Sequence, residues 1–200
     1  MKKFRKINKI TKIAEVYNSK FLNVFEIFYE TKLGNQKKWI VASRKNLSKY
    51  KKMLFKEESI KIDAVLIAAI DESRDSLVLI KEFRMPINDY VYSLPAGLID
   101  EGEDIYIAAK REMKEETGLE LYDIDENSSC KKSFASVGMS DESLALVYGK
   151  ARGEISTELQ EESEIIESIY VDKKMAKEIL SSDVNIDIKA WLVLKEFVRL

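Results

Sequence analysis

The stretch GLIDEGEDIYIAAKREMKEETGL, running from Gly97 to Leu119, decides how the rest of the chain is read. From Asp104 to Thr117 it contains neither Pro nor Gly, Ala108, Ala109 and Met113 can face a core, and Gly118 supplies the left-handed position that stops a helix. This pattern predicts a helix over Asp104–Thr117, entered through a loop that Gly97 and Gly102 allow to turn tightly. On that helix Glu112, Glu115 and Glu116 stand at i, i+3 and i+4, so at ~100° per residue they fall within an arc of roughly 100° on one face. Like charges at this spacing cost a helix about 0.2–0.5 kcal/mol per pair unless water or a counter-ion screens them. Two readings stand: a solvated acidic stripe interleaved with Lys110, Arg111 and Lys114, or a seat for a hard divalent cation. For the second, an all-carboxylate cluster suits magnesium better than zinc.

Outward from this helix the period changes to that of strands. Ile60 to Ile70 and Ser76 to Phe83 read as buried strands joined across Asp71–Asp75, and Tyr90 to Leu94 reads as another, ending at Pro95. Beyond the helix, strands are predicted at Ser133–Ser136, Leu144–Ala151 and Ile165–Val171, and helices at about Lys173–Leu180 and Ile186–Val198. Near the N-terminus, Phe21–Tyr29 and Lys38–Ala42 flank Gly34-Asn35, a dipeptide suited to a tight turn, and predict a small antiparallel sheet. The fold class is α/β (α+β): a mixed sheet sandwiched by helices, with a small N-terminal antiparallel sheet.

Composition bounds the chemistry. The chain has 200 residues, 46% apolar and 34% charged, enough for one sizeable core or one core with a small accessory unit. Residues 1–57 carry 16 basic and 4 acidic side chains, and residues 58–200 carry 17 and 31, so a basic N-terminal region is expected to precede an acidic body at 58–200. The net charge of −2 gives no overall field for nucleic acid or an anionic membrane. With no histidine, a His triad, a His base and a His-ligated zinc are excluded, and proton transfer falls to carboxylates, Lys or Tyr. The single Cys130 suits a reducing compartment. Met1–Lys6 is basic but precedes no apolar run of signal length, and no stretch approaches the ~18 apolar residues of a membrane span. A cytoplasmic chain, neither exported nor inserted, is expected.

The wider pattern Gly97-x5-Glu103-x7-Arg111-Glu112-Met113-x-Glu115-Glu116-x-Gly118-Leu119 resembles the Nudix box at every fixed position, a match expected by chance on the order of once in 10⁹ start positions. Similarity to the Nudix hydrolases implies the Nudix fold and a metal-dependent hydrolysis of a diphosphate linked to another group. It implies Mg²⁺, or Mn²⁺, held by Glu112 and Glu116, by Glu115 directly or through water, and by the main-chain carbonyl of Ala96. Glu103 is then structural, and Arg111 holds neighbouring glutamates by paired hydrogen bonds.

Flanking blocks narrow the resemblance. Lys81-Glu82-Phe83-Arg84-Met85-Pro86, Ser93-Leu94-Pro95-Ala96-Gly97-Leu98-Ile99-Asp100, and the stretch from Gly34 to Arg44 look like the ADP-ribose pyrophosphatase branch. That branch implies a homodimer through the N-terminal sheet and an adenine held between Phe21 and Trp39 contributed by two chains, each face worth ~1–3 kcal/mol if it behaves as a base-stacking platform. It also implies phosphate contacts from Arg44 and Arg84, and a catalytic base on the loop Glu161–Glu167, with Glu164 the best match and Glu162 in reserve. The branch usually has a Pro-Gly pair after the box. Here Val137-Gly138 stands instead, which puts the distal sugar in question, and Met139 is a candidate to line that end. ADP-ribose is the implied substrate. A nucleotide-sugar, a dinucleoside polyphosphate or NADH would preserve the chemistry, and a non-catalytic nucleotide sensor or RNA-binding module is the reading from another class.

Overall fold

Short alternating segments before residue 62 and longer apolar runs after it build two separate sheets. The computed structural model describes residues 9–160 and 165–199, and its contacts divide the chain into two units.

The first unit comprises described residues up to 62 together with Phe134–Ser143. Strands β1 (Lys9–Tyr17), β2 (Asn23–Glu30) and β3 (Gln36–Ser43) pair antiparallel in the order β1-β2-β3. Gly34 turns the β2–β3 hairpin with a φ of 82°, a left-handed value that a side chain would resist. Helix α1 (Leu47–Phe55) starts where the Asn46 side chain accepts a hydrogen bond from the Lys49 amide at 2.9 Å. It lays Tyr50 on the sheet, where its ring stacks on Phe25 at 4.8 Å between centroids, with Ile13 and Val41 completing the core. The 134–143 segment is held to β3 by the Ala42 amide, which donates to the Met139 carbonyl at 2.8 Å, and by a Lys45–Asp141 ion pair at 3.1 Å. The composition shift at residue 57 did not indicate this returning segment, nor did the pattern indicate β1 or α1.

The second unit comprises Asp63–Ser133 and the described part of Leu144–Leu200. Its elements are β4 (Ala64–Asp71), β5 (Ser76–Arg84), β6 (Asp89–Ser93), β7 (Ala96–Leu98), α2 (Ile105–Thr117), β8 (Glu120–Phe134), β9 (Ser143–Arg152), β10 (Ile166–Val171), α3 (Lys173–Ser181) and α4 (Ile188–Phe197). The sheet runs β10-β5-β4-β9-β8, with β6 also on β5 and β7 also on β4. It is mixed because β4 and β9 are parallel. Register assigns the faces. Val65 pairs with Gly97, which lies under α2, whereas Ala68 and Ile70 alternate to the other face, where they line one cavity with Val193 and Phe197 of α4. The predicted sandwich of helices about a mixed sheet is the architecture found. Two strands differ: β7 (Ala96–Leu98) takes Gly97, expected in a tight loop, into the sheet without a left-handed φ, and instead of Ser133–Ser136, β8 runs for 15 residues and ends at Phe134, carrying Asp123 at a φ of 46° and an Asp125 carboxylate that accepts from the Asn127 and Ser128 amides. That polar turn chemistry inside β8 hid it from a reading by period. Among the described residues, no helix is long and apolar enough to cross a membrane.

Candidate active site

Helix α2 begins at Asp104, whose side chain accepts from the Tyr106 amide at 2.8 Å, and stops at Gly118, with a φ of 76°. Its apolar face buries Ala108, Ala109 and Met113, packing the helix over β4, β7 and β10. The amphipathic register that buries these three residues also turns Glu112 and Glu116 toward β7. Glu116 is 4% exposed, and its Oε2 accepts from the Ala96 amide at 2.9 Å. Glu112 lies over Gly97, so close that a Cβ there would overlap its carboxyl group. The box glycine at the strand end is therefore a matter of space: it leaves room for a carboxylate.

Arg111 ties the cluster together. Its Nε and Nη2 donate to the two oxygens of Glu103 at 3.0 and 2.9 Å, Nη1 donates to Glu112 at 2.7 Å and Glu115 at 2.9 Å, and Nη2 also reaches the Leu98 carbonyl at 3.0 Å. Two of the helix-face carboxylates, Glu112 and Glu115, share this cation, which offsets their like-charge repulsion, and Glu116 is turned instead to the Ala96 amide. Hydrogen bonds from Arg111 first, and then from the Asp100 amide, hold the Glu103 carboxyl below its usual range. The guanidinium is held charged more firmly still, chiefly by Glu103.

Among the described residues, no three acidic or thiol side chains form a finished cation cage. Arg111 draws the Glu112 and Glu115 carboxylates toward itself, and Glu116 faces an amide. The donors still fit a hard cation by their chemistry: they are all oxygen, with Glu116 buried, Glu112 laid on a glycine and Glu115 half open to water.

The back of the helix is anchored by residues that sequence reading did not single out. Gln160 Nε2 and Ser168 Oγ both donate to the Glu116 carbonyl, at 2.7 and 2.9 Å. Neither carries a motif signal, since each acts on a main-chain oxygen through packing. Glu164 and Glu162 lie outside the described residues. Directly after them, the Ile165 carbonyl accepts from the Phe83 amide at 3.0 Å.

Arg84 closes β5, half exposed, with its Nη2 on the Glu82 carboxylate at 2.7 Å. The remaining candidates belong to the first unit. Trp39 pairs with Ile27 in mid-sheet, and Phe21 precedes β2, beyond the Asn23–Ser43 pair, with the Lys20 ammonium over its ring. Phe21 thus sits in the bend before β2, off the paired rows, and Trp39 within the sheet. Both are substantially exposed, at 49% and 70%. Arg44 is paired with Glu142 at 3.0 Å, and Met139 is exposed on the turn after Val137.

A model of the NUDIX domain matches residues 61–192. The chain belongs to the Nudix family. Its box is thus the Arg111-centred cluster just described. An ADP-ribose pyrophosphatase of Saccharomyces cerevisiae is 35% identical over 117 residues, which is 56% of this chain and 46% of that protein. An ADP-ribose pyrophosphatase of Bacillus subtilis is 26% identical over 140 residues, 67% of this chain and 73% of that protein. The matched stretch spans about half the length of several curated relatives. A crystal structure of an ADP compounds hydrolase superposes with a TM-score of 0.73 over 99% of this chain and 97% of that one, at 21% identity, and it shares the fold.

Proposed function

We propose that this Nudix protein hydrolyses the diphosphate of ADP-ribose to AMP and ribose 5-phosphate, with Mg²⁺ or Mn²⁺ as its cofactor. The observation that carries the reading is the carboxylate face of α2, seated on Gly97 and held by Arg111. The names of the yeast and Bacillus relatives support the choice of substrate.

Glu112, Glu115, Glu116 and the Ala96 carbonyl would hold the cation, which when bound neutralises the diphosphate and lowers the pKa of water. The protein's own work is arrangement. Arg84 and Arg44 offer planar guanidinium forks to the phosphate oxygens. Glu164 accepts a proton from the attacking water, the water oxygen bonds to one phosphorus, and the bridging P–O bond breaks with its electrons leaving on the other phosphate. A carboxylate in that role contributes roughly 10²–10⁴ in rate. Phe21 of one chain and Trp39 of another enclose the adenine, and Met139 borders the distal ribose. Two chains are thus needed, and exposed Val16, Tyr17, Leu22 and Ile40 on the first unit support a homodimer. The free thiol of Cys130 suits the cytoplasm.

The deciding experiment measures AMP release, with and without Mg²⁺, from equal concentrations of ADP-ribose, GDP-mannose (scored as GMP), diadenosine polyphosphates and NADH. A metal-dependent preference for ADP-ribose is expected. Preference for another compound would keep the glutamates and discard the adenine clamp, and no turnover with any would discard the enzyme.

A further inference from the structure

We propose that Glu82 is a positioning residue for the diphosphate, acting by fixing the guanidinium of Arg84. The inference rests on Arg84 as a phosphate contact, the role given to it above. Residues 82 and 84 alternate onto the same face of β5. Register identifies that face. Glu82 stands opposite Ile166 of β10 and Val91 of β6, and one row earlier Ile80 stands opposite Ser168 and Ser93. Ser168 donates to the carbonyl of Glu116, so Ile80, Glu82 and Arg84 step outward along the face that carries α2 and its glutamates. Each step is about 7 Å.

Left to itself, a half-exposed arginine at a strand end samples many rotamers, most of them in solvent. Here its Nη2 is bound at 2.7 Å by a carboxylate whose side chain is only 16% exposed. The bond draws the charged head back one row toward the glutamate face. A single nitrogen engages Glu82, and the guanidinium fork has further N–H donors to give. Lys81, the neighbouring cation, alternates to the opposite face, where its ammonium lies over the Tyr90 ring at 5.1 Å, so it does not compete for Glu82. The geometry is that of a preorganised phosphate clamp: a largely buried anion supplies the orientation and an exposed cation supplies the contact. Glu82-x-Arg84 is one residue pair within a block that sequence reading valued for Arg84 alone.

The test is a double-mutant cycle on the full chain, with the best substrate of the panel above, reading KM and kcat for wild type, Glu82→Ala, Glu82→Gln, Arg84→Ala and the double alanine variant. Arg84→Ala is expected to raise KM by roughly 10-fold or more, a loss in the range of a charged hydrogen bond. Glu82→Ala should raise KM about 5-fold with kcat within about 2-fold, and the double variant should match Arg84→Ala, because the two residues act as one unit. Glu82→Gln keeps an acceptor oxygen and nearly the same shape, so it should fall between wild type and alanine, and it carries the test if the alanine variant fails to fold. A Glu82 effect that adds in full to that of Arg84→Ala would mark a merely structural role and overturn the proposal. So would an unchanged or lowered KM in both Glu82 variants beside a raised KM in Arg84→Ala, which leaves the arginine reading intact. An unchanged KM in Arg84→Ala removes the arginine reading, and this inference falls with it.

Discussion

The two units hold their candidate residues in opposite ways. In the second, Glu103, Glu112 and Glu115 meet on Arg111, Glu116 is buried against an amide, and each carboxylate is placed by contacts within its own unit. In the first, Phe21, Trp39 and Met139 stand in the open. Trp39 shares the face of Val41 and Phe25, the core side of the sheet, yet it is half exposed. The contrast teaches that the carboxylates of α2 are fixed by the fold itself, whereas the candidates of the first unit are held open to solvent.

Four measurements would break or sharpen that contrast. The largest effect belongs to Glu116→Gln: a drop of roughly 10³ in kcat at fixed Mg²⁺, the scale lost with one preorganised electrostatic group, with the fold retained because the amide oxygen still accepts from Ala96. Steady-state kinetics beside a thermal melt would check it. Arg111→Ala comes next, since it leaves three carboxylates facing one another. Allowing for the partial exposure of Arg111, a loss of about 2 kcal/mol is expected, read as a lower denaturation midpoint. Trp39→Ala should raise KM roughly 10-fold, within the range for one stacked base, while stability and kcat hardly change; an equally large fall in melting temperature would show that the ring is core. The smallest effect is the pH dependence set by Glu103. Its folded pKa lies below the ordinary value of 4.5, so its contribution to stability is present above that value and fades as pH falls through the lower, folded one. Glu103→Gln should flatten that acid limb, as measured by denaturation at stepped pH.

The sequence carried different parts of this picture with different force. Helix α2 was legible to within a residue, because a polar cap at Asp104, an uninterrupted helical run and Gly118 all agree. The glutamate face was legible as spacing, and Arg111 as the holder of neighbouring glutamates, but that Glu103, eight residues away and before the helix, shares the same guanidinium was not. Helix α1 escaped because its lysines dilute a short apolar stripe, although Asn46 and Lys49 mark its start. Strand β1 escaped because its register shifts twice, which breaks the period of two. Gln160 and Ser168 were illegible in principle: a side chain that bonds to a distant carbonyl leaves no trace in local pattern.

Gly97 has a consequence for heredity. The space its missing side chain leaves is taken by the Glu112 carboxyl. Every amino acid that a single base change can put in place of glycine carries a Cβ, from alanine and serine to valine, aspartate and arginine. Each such neighbour brings a carbon to the position of a carboxylate, and because that carboxylate ends a flexible side chain, it is Glu112 rather than the backbone that would give way. A base change at this codon would therefore be felt first as a displaced carboxylate, whereas one at Gly138, beside Val137, would meet only open space.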